Sequence, residues 1–474
     1  MATPPLAESP SHAFADVIRA TRWHFLGLCI YLATQAYTIP VLPIGPSWAI
    51  WPGLADFAVI LLGLIVLVRP LSRKIPVSKT NRQMMRILLG IYVLCFFSFL
   101  LFRFMRTIGG ENFSGDSGFT FGIFQLYRLA QYFFLFWVAI RVPLNEFRRR
   151  ILSCVTVFVL IMMGVGIMMT HYQVVTPDVF VSQLPDNLAI SGPWNIYYTY
   201  TRYGLPAPFG MVSYNHSYTG IQVLLLSALY LHLRGARSSI FDIALLGFGN
   251  FTVFLSESRA GLASLLVFTS LYFIYRPRYI FLMMIGAITV SLAIVLGVIR
   301  NPLESLVSEE TLARSATLLD ATNADNLSDR DIIWGQRLDF LNADFTRWLF
   351  GSGFGNTVNS GSNAHMLALH LIVESGIWGL TIFILLALWV IRHLWAYDTH
   401  SRPIFWGSVA LLFSSLTQET FYPVPSLSYF LGVYMLVLAI TWRVNIDEVQ
   451  SVPEASAAPA PLEATPLIAR ESFS

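Results

Sequence analysis

Apolar runs of near-bilayer length recur from residue 25 to residue 442, and this recurrence restricts the possible folds more than any other feature of the chain. A helix needs ~20 mostly apolar residues to cross the hydrocarbon core of a membrane. Inside lipid each backbone N–H and C=O must find its partner within the protein, which leaves helices and closed barrels as the spanning forms. The runs fall at 25–44, 48–68, 87–102, 119–140, 151–169, 211–233, 240–255, 261–275, 280–299, 366–394, 404–416 and 426–442. The expected fold is therefore all-α: a polytopic membrane protein of about twelve transmembrane helices. Composition agrees, since charged residues make up only 12% of the chain, about half the usual share in soluble proteins. A net charge of +3 over 474 residues points to no nucleic-acid partner, and membrane lipids are the expected surroundings. Cys29, Cys95 and Cys154 lie within apolar stretches and read as buried thiols without disulfide or metal-ligand spacing. No signal-peptide pattern occupies the first twenty residues, so the first span is expected to stay as an anchor.

Charge around the runs sets the expected orientation. Arg19 and Arg22 precede span 1, Arg69 through Arg82 follow span 2, and Arg148, Arg149 and Arg150 follow span 4. Arg234 and Arg237 follow span 6, Arg276 and Arg278 follow span 8, and Arg392 and Arg402 flank the turn after span 10. With twelve spans, all of these fall on one side, which the positive-inside rule makes cytoplasmic together with both termini. The resulting division is a cytoplasmic N-terminus at 1–23, helices 1–9 over 24–299, and a large, partly helical outer loop at 300–365. Helices 10–12 follow over 366–443, and an Ala/Pro/Glu-rich tail expected to be disordered fills 444–474.

Two outer connections are long, at about 170–210 and 300–365, and long connections in compact proteins commonly carry function. In the second, Trp334, Leu338, Leu341, Phe345 and Trp348 recur at helical spacing, and Ser328 with Asp331 forms a capping-box pattern ahead of them. Arg330 and Arg337 lie on the margin of that stripe, where guanidinium forks can grip phosphate or else pair with Asp329 and Asp344. Arg259, in the short SESRAG turn, either lines a polar cavity or holds a helix end with Glu257. Arg202, Asn215 and His216 stand at the entry of span 6, facing a lumen or belonging to an aromatic belt and a helix cap. Trp194, Tyr197, Tyr198, Tyr200 and Tyr203 either stack on sugar rings or form an interfacial girdle. Gly351, Gly353 and Gly355 (GSGFG) read as a helix stop and tight turn, with an anion-binding backbone nest as the alternative. His365 stands immediately before span 10 and has the side chain best matched to take up a proton near neutral pH. Inside that span, Glu374 is read as a structural hydrogen-bonding group, with proton relay as the alternative, and Gly376 and Gly379 as sites of close helix approach. Asp56 and Arg128, both within apolar spans, are candidates to pair with one another or with other polar groups.

The order of these motifs resembles the O-antigen ligase and polysaccharide polymerase family of bacterial inner-membrane enzymes. The resemblance rests on Ser258-Arg259-Ala260-Gly261, Arg330 with Trp334, Gly351/Gly353/Gly355, His365, and Glu374/Gly376/Gly379, across about 208–394. This chain has Met366 where family members commonly follow the His with Asn or a similar polar residue. The resemblance implies a metal-independent, GT-C-like glycosyltransferase with no cofactor, acting at the periplasmic face of the inner membrane. Its donor would be an undecaprenyl-diphosphate-linked oligosaccharide and its acceptor a glycan or lipid A-core, with polysaccharide chain-length regulators or export proteins as further partners. In that role His365 would be the catalytic base, Arg259, Arg202, Arg330 and Arg337 would hold the diphosphate, and Glu374 and Asn215 would support them. The alternatives are a lipid-linked glycan transporter or flippase, against which stands the lack of an internal repeat, and a non-catalytic part of a polysaccharide assembly complex.

Overall fold

A computed structural model describes residues 16–38, 52–72, 75, 77–108, 117–171, 201–202, 205–206, 216–235, 239–256, 258–274, 276, 281, 330–355, 364–399, 401–423 and 430–443. The described helices are α1 (Arg22–Ala33), α2 (Leu54–Val68), α3 (Lys79–Ile108), α4 (Ser117–Ala139), α5 (Glu146–His171), α6 (His216–Arg234), α7 (Ile240–Leu255) and α8 (Arg259–Ile274). They continue with α9 (Arg330–Asn342), α10 (Phe345–Phe350), α11 (Leu367–Tyr397), α12 (Pro403–Ser414) and α13 (Phe430–Thr441). One two-residue antiparallel ladder, β1 (Thr201–Arg202) on β2 (Leu205–Pro206), is the only β pairing among the described residues. Each expected apolar run except 280–299, which lies almost wholly outside the described residues, carries a helix.

Among the described residues, three helices are long and apolar enough to cross a membrane: α3 over Lys79–Leu101, α5 over Glu146–Met168, and α11 over Leu367–Tyr397. Five shorter apolar helices, α2, α7, α8, α12 and α13, run 10–17 residues, short of the ~20 a full crossing takes. The molecule is nonetheless apolar on its surface as well as in its core. Leu67, Leu89, Phe97, Leu385 and Leu388 are each well exposed on helix faces that carry no polar cover, as lipid-facing surfaces require.

The bundle is organised around α6, which packs against α5, α7, α8, α12 and α13. From Ile221 to Leu231 its side chains are all but fully buried, on every face, the signature of a helix enclosed by others. Gly220 and Gly261 make the α6–α8 crossing possible. A Cβ on Gly220 would fall 2.4 Å from Gly261 Cα, so neither position has room for a side chain.

Helix directions sort the charged residues into two groups. The start of α1 meets the end of α2 where His24 Nε2 bonds the Arg69 carbonyl at 2.9 Å. It meets the start of α5 where Arg148 bonds Thr21 Oγ1 at 3.0 Å. At this same end Asn81, beginning α3, reaches the carbonyl of Trp442 just beyond α13. The basic residues Arg22, Arg69, Arg148, Arg149 and Arg150 therefore share one end of the bundle, and the α6 and α8 N-termini and the start of α11 lie toward the other.

Within the bundle, Asp56 and Arg128 form a buried ion pair, as their sequence positions anticipated. Asp56 also accepts the Gly53 N–H at 2.8 Å, which caps α2, and the Gln131 amide at 2.9 Å. Three donors thus converge on that buried carboxylate, which is how a charge is tolerated there.

Candidate functional site

The expected amphipathic helix across 334–348 is broken in two. Asp344 takes an extended conformation and accepts the Thr346 N–H at 2.9 Å and the Thr346 hydroxyl at 2.8 Å. An aspartate in that geometry is a strong N-cap, so it ends α9 and starts α10. The break redirects the stripe. Leu341 is fully buried with Trp334 and Trp348 beside it, in a small core with Leu369 and Val373 of α11. Leu338 and Phe345 point outward instead, and Phe345 is 73% exposed. The capping role expected for Ser328 falls outside the described residues.

Short helix α10 ends in the glycine segment. Gly351, Gly353 and Gly355 all have positive φ, at 69°, 87° and 76°, and Gly351 N–H returns to Arg347 O at 2.8 Å, the helix stop anticipated from the sequence. The amides that follow are taken up by the protein itself. Ser352 N–H bonds Val373 O at 2.8 Å, Phe354 N–H bonds Ser98 Oγ at 3.2 Å, and Gly355 N–H bonds Glu374 Oε2 at 2.8 Å. One of these amides, that of Gly355, is thus taken up by the carboxyl of Glu374.

Glu374 is completely buried. Besides Gly355 it accepts the Tyr422 hydroxyl, and its Oε1 lies 3.7 Å from Nε2 of His370, one turn earlier on α11. It therefore ties α11, the glycine loop and the segment after α12 together, the structural role expected of it. Gly376 lets this happen. With φ 65° and ψ −170° it kinks α11, and a Cβ there would fall 2.0 Å from the Leu349 carbonyl oxygen of α10. Gly379 differs from expectation. A Cβ on it would meet Ser375 of its own helix at 2.3 Å, so its small size accommodates the kink rather than a neighbouring helix.

His365 sits directly above this knot, between Ala364 and the N-cap residue Met366. Its φ of 49° is left-handed, a region His visits more readily than most non-glycine residues but at a cost. Neighbouring contacts hold the turn in place. Trp334 Nε1 donates to Ala364 O at 2.8 Å, Leu367 N–H donates to Ser415 O at 3.0 Å, and His365 N–H donates to Glu419 Oε1. Burial, then the charge of Arg330, pushes the imidazole down to about 4, with Gln418 pulling the other way. The ring is accordingly neutral at physiological pH.

Arg330 opens α9 and Arg337 follows two turns later on the same helix. Both guanidiniums act on Glu419, Arg330 acts on His365, and Arg337 acts on Glu374. Burial lowers Arg337 while those two carboxylates raise it. Glu419 thus lies in the field of both arginines and Glu374 in that of Arg337, while Asp329 lies outside the described residues. Arg259 is the first residue of α8. Ser258 precedes it as the cap, with Oγ accepting Gly261 N–H at 3.1 Å. Through the Gly220–Gly261 crossing and the Leu367–Ser415 bond, Arg259 and His365 belong to the same end of the bundle. Arg202 lies in β1, and its side chain, like Asn215 and the aromatic residues 194–203, is outside the described residues.

Glu419 is the group that the sequence reading passed over. It is fully buried, and burial pushes its carboxyl up to about 7 against the pull of Arg330, Arg337 and two backbone N–H groups. The available signal was an acidic residue in TQETF, a short polar break between two apolar runs. Beside the cluster lies an apolar cavity of about 500 Å³ between α3, α4, α11, α12 and α13. Cys95, Ser98 and Trp378 line it, and Phe354 and Tyr422 are shared between it and the polar knot.

No family model matches this chain, and no curated protein is found to match it.

Proposed function

We propose that the chain is a membrane glycosyltransferase acting on a lipid-diphosphate-linked glycan, either polymerising repeat units or ligating the glycan to an acceptor. The observation that carries this reading is the convergence of a neutral histidine, two arginines and a buried carboxyl from three separate segments at one end of an apolar bundle. In this reading the bundle is the twelve-helix inner-membrane protein expected from the sequence. The basic end is cytoplasmic, and the His365 end is periplasmic.

The chemistry follows from the parts. An acceptor hydroxyl attacks the anomeric carbon while the bond from that carbon to the diphosphate oxygen breaks, and the electron pair leaves with the diphosphate. Fixed guanidinium groups stabilise the charge that develops there, a role for Arg330, Arg337 and Arg259, with Arg202 on the neighbouring loop. The hydroxyl proton passes to His365. An anion bound at Arg330 offsets the positive field that lowers the imidazole, so donor binding raises the basicity of the ring when it is needed. The apolar cavity against Phe354 and Tyr422 supports a donor whose diphosphate is carried on a long hydrocarbon chain such as undecaprenol.

Variants of the purified protein in detergent test the assignment of roles. With undecaprenyl-diphosphate glycan and candidate acceptors, His365→Ala is expected to bind donor and release no lipid diphosphate. Arg259→Ala and Arg330→Ala are expected to lose donor affinity as well. Wild-type release by His365→Ala would remove the base from the mechanism.

A further inference from the structure

Two atoms in the cluster lack partners although they face each other. Nδ1 of His365 and Oε2 of Glu419 are both buried without a hydrogen bond, 4.0 Å apart. The other oxygen of the same carboxylate already holds the His365 backbone through its N–H. The His365 side chain is 32% exposed while its Nδ1 is buried, so the exposed part of the side chain lies away from Nδ1.

We propose that Glu419 is the positioning residue of His365, fixing both its backbone turn and its tautomer. With one oxygen Glu419 secures the left-handed turn before α11, and its other oxygen, 4.0 Å from Nδ1, accepts a hydrogen bond from an Nδ1–H once the two close to bonding distance, which keeps Nε2 as the nitrogen that can take up a proton. The arrangement is that of a base oriented by a third group, which catalytic histidines need because only one ring nitrogen can accept a proton in the correct direction. The inference rests on the proposed transferase reading for its catalytic consequence, and on geometry alone for the tautomer.

The groups around Glu419 decide how it behaves with pH. Arg330 and Arg337 face it from α9, His365 from the turn before α11, and Gln418 adjoins it in sequence. His370 and Glu374 on α11 lie in the same field, since Arg337 and His365 act on the first and Arg337 on the second. The two arginines favour the ionised carboxylate and full burial opposes it. Ionisation of Glu419 strengthens its hold on the Nδ1 proton and raises the basicity of Nε2, so turnover should climb as pH passes through the neutral range.

Two measurements on the full chain test this. In histidine-labelled protein in lipid nanodiscs, the His365 ring, assigned by its loss in His365→Asn, is expected to carry its proton on Nδ1. In Glu419→Gln, which keeps an acceptor for the His365 N–H, it is expected to populate both tautomers. A wild-type ring protonated on Nε2 overturns the proposal, whether or not the variant folds and whether or not the protein proves to be a transferase. In the lipid-diphosphate release assay, Glu419→Gln is expected to lower kcat by about 100-fold, leave KM within about twofold, and lose the rise of kcat through neutral pH. A variant that raises KM at unchanged kcat, or keeps the wild-type pH profile, contradicts it. Failure of wild type to release any lipid diphosphate refutes the transferase and leaves the tautomer measurement to judge Glu419.

Discussion

Replacing Gly376 with alanine should do disproportionate damage for a single added methyl group. The Cβ would stand 2.0 Å from Leu349 O, 2.2 Å from Leu349 C and 2.5 Å from Phe350 N, all backbone atoms that cannot rotate away. Real Cβ contacts essentially never fall below 3.0 Å, so α10 must retreat by the 1.0 Å that separates 2.0 from 3.0. The backbone itself also resists, since φ 65° with ψ −170° lies in a region that is essentially glycine-only. Strain of ~1–3 kcal/mol from the backbone and ~1–3 kcal/mol from overpacking together predict a loss of about 2–6 kcal/mol. The retreat would also drag the glycine loop off Glu374, and displacements of about 1 Å near a site can cost ~100-fold in rate. The assay is denaturant unfolding in detergent micelles followed by tryptophan fluorescence, with Gly90→Ala as the control. Gly90 has nothing within 4 Å of its added Cβ and sits inside α3, so alanine there should be neutral or stabilising by up to ~1 kcal/mol. If Gly376→Ala unfolds at the same midpoint as Gly90→Ala, the close approach of α10 to α11 described above is wrong.

Other expectations follow from the same contacts. Asp56→Asn or Arg128→Met alone should destabilise by about 3–5 kcal/mol, because each strands a buried charge, while the double variant recovers most of the loss; unfolding midpoints of the three check this. His365 and Glu419 should impose opposite pH slopes on stability. The imidazole, lowered to about 4 from 6.5, makes the unfolded chain bind more protons between those values, so acid weakens the fold there. The carboxyl, raised to about 7 from 4.5, makes the folded chain bind more protons, so acid strengthens the fold between those values. Between pH 6.5 and 4.5, Glu419→Gln should therefore lose stability more steeply than wild type as pH falls, and His365→Asn less steeply; melting at several pH values decides. Trp334→Phe should cost about 1 kcal/mol through the lost bond to Ala364, and loosen the His365 turn enough to lower kcat more than it changes donor affinity.

Much of the fold was legible because lipid imposes simple rules. The apolar runs marked helices that the structure contains, and of the partners the sequence left open to Asp56 and Arg128 the structure shows each other. The glycine motif was readable as a helix stop, since three glycines at alternate positions break a helix in any context. The misreadings have a common cause. Periodicity could not see that Asp344 would cap a new helix, because a side-chain-to-backbone bond two residues away leaves no mark on hydrophobic spacing. Spacing along one helix equally could not assign Gly376 and Gly379 to different neighbours. Glu419 was missed because its partner His365 lies 54 residues earlier in the chain, and only the fold of α11 against α12 brings the two together.

The central claim is that this end of the bundle transfers a glycan off a lipid diphosphate. The most direct measurement supplies the purified wild-type protein with a labelled undecaprenyl-diphosphate glycan and an acceptor, and counts both products in one reaction. Equal amounts of free undecaprenyl diphosphate and newly joined glycan, formed together, are the predicted result. Donor recovered intact, whether idle in detergent or carried across the membrane of a vesicle, would contradict it.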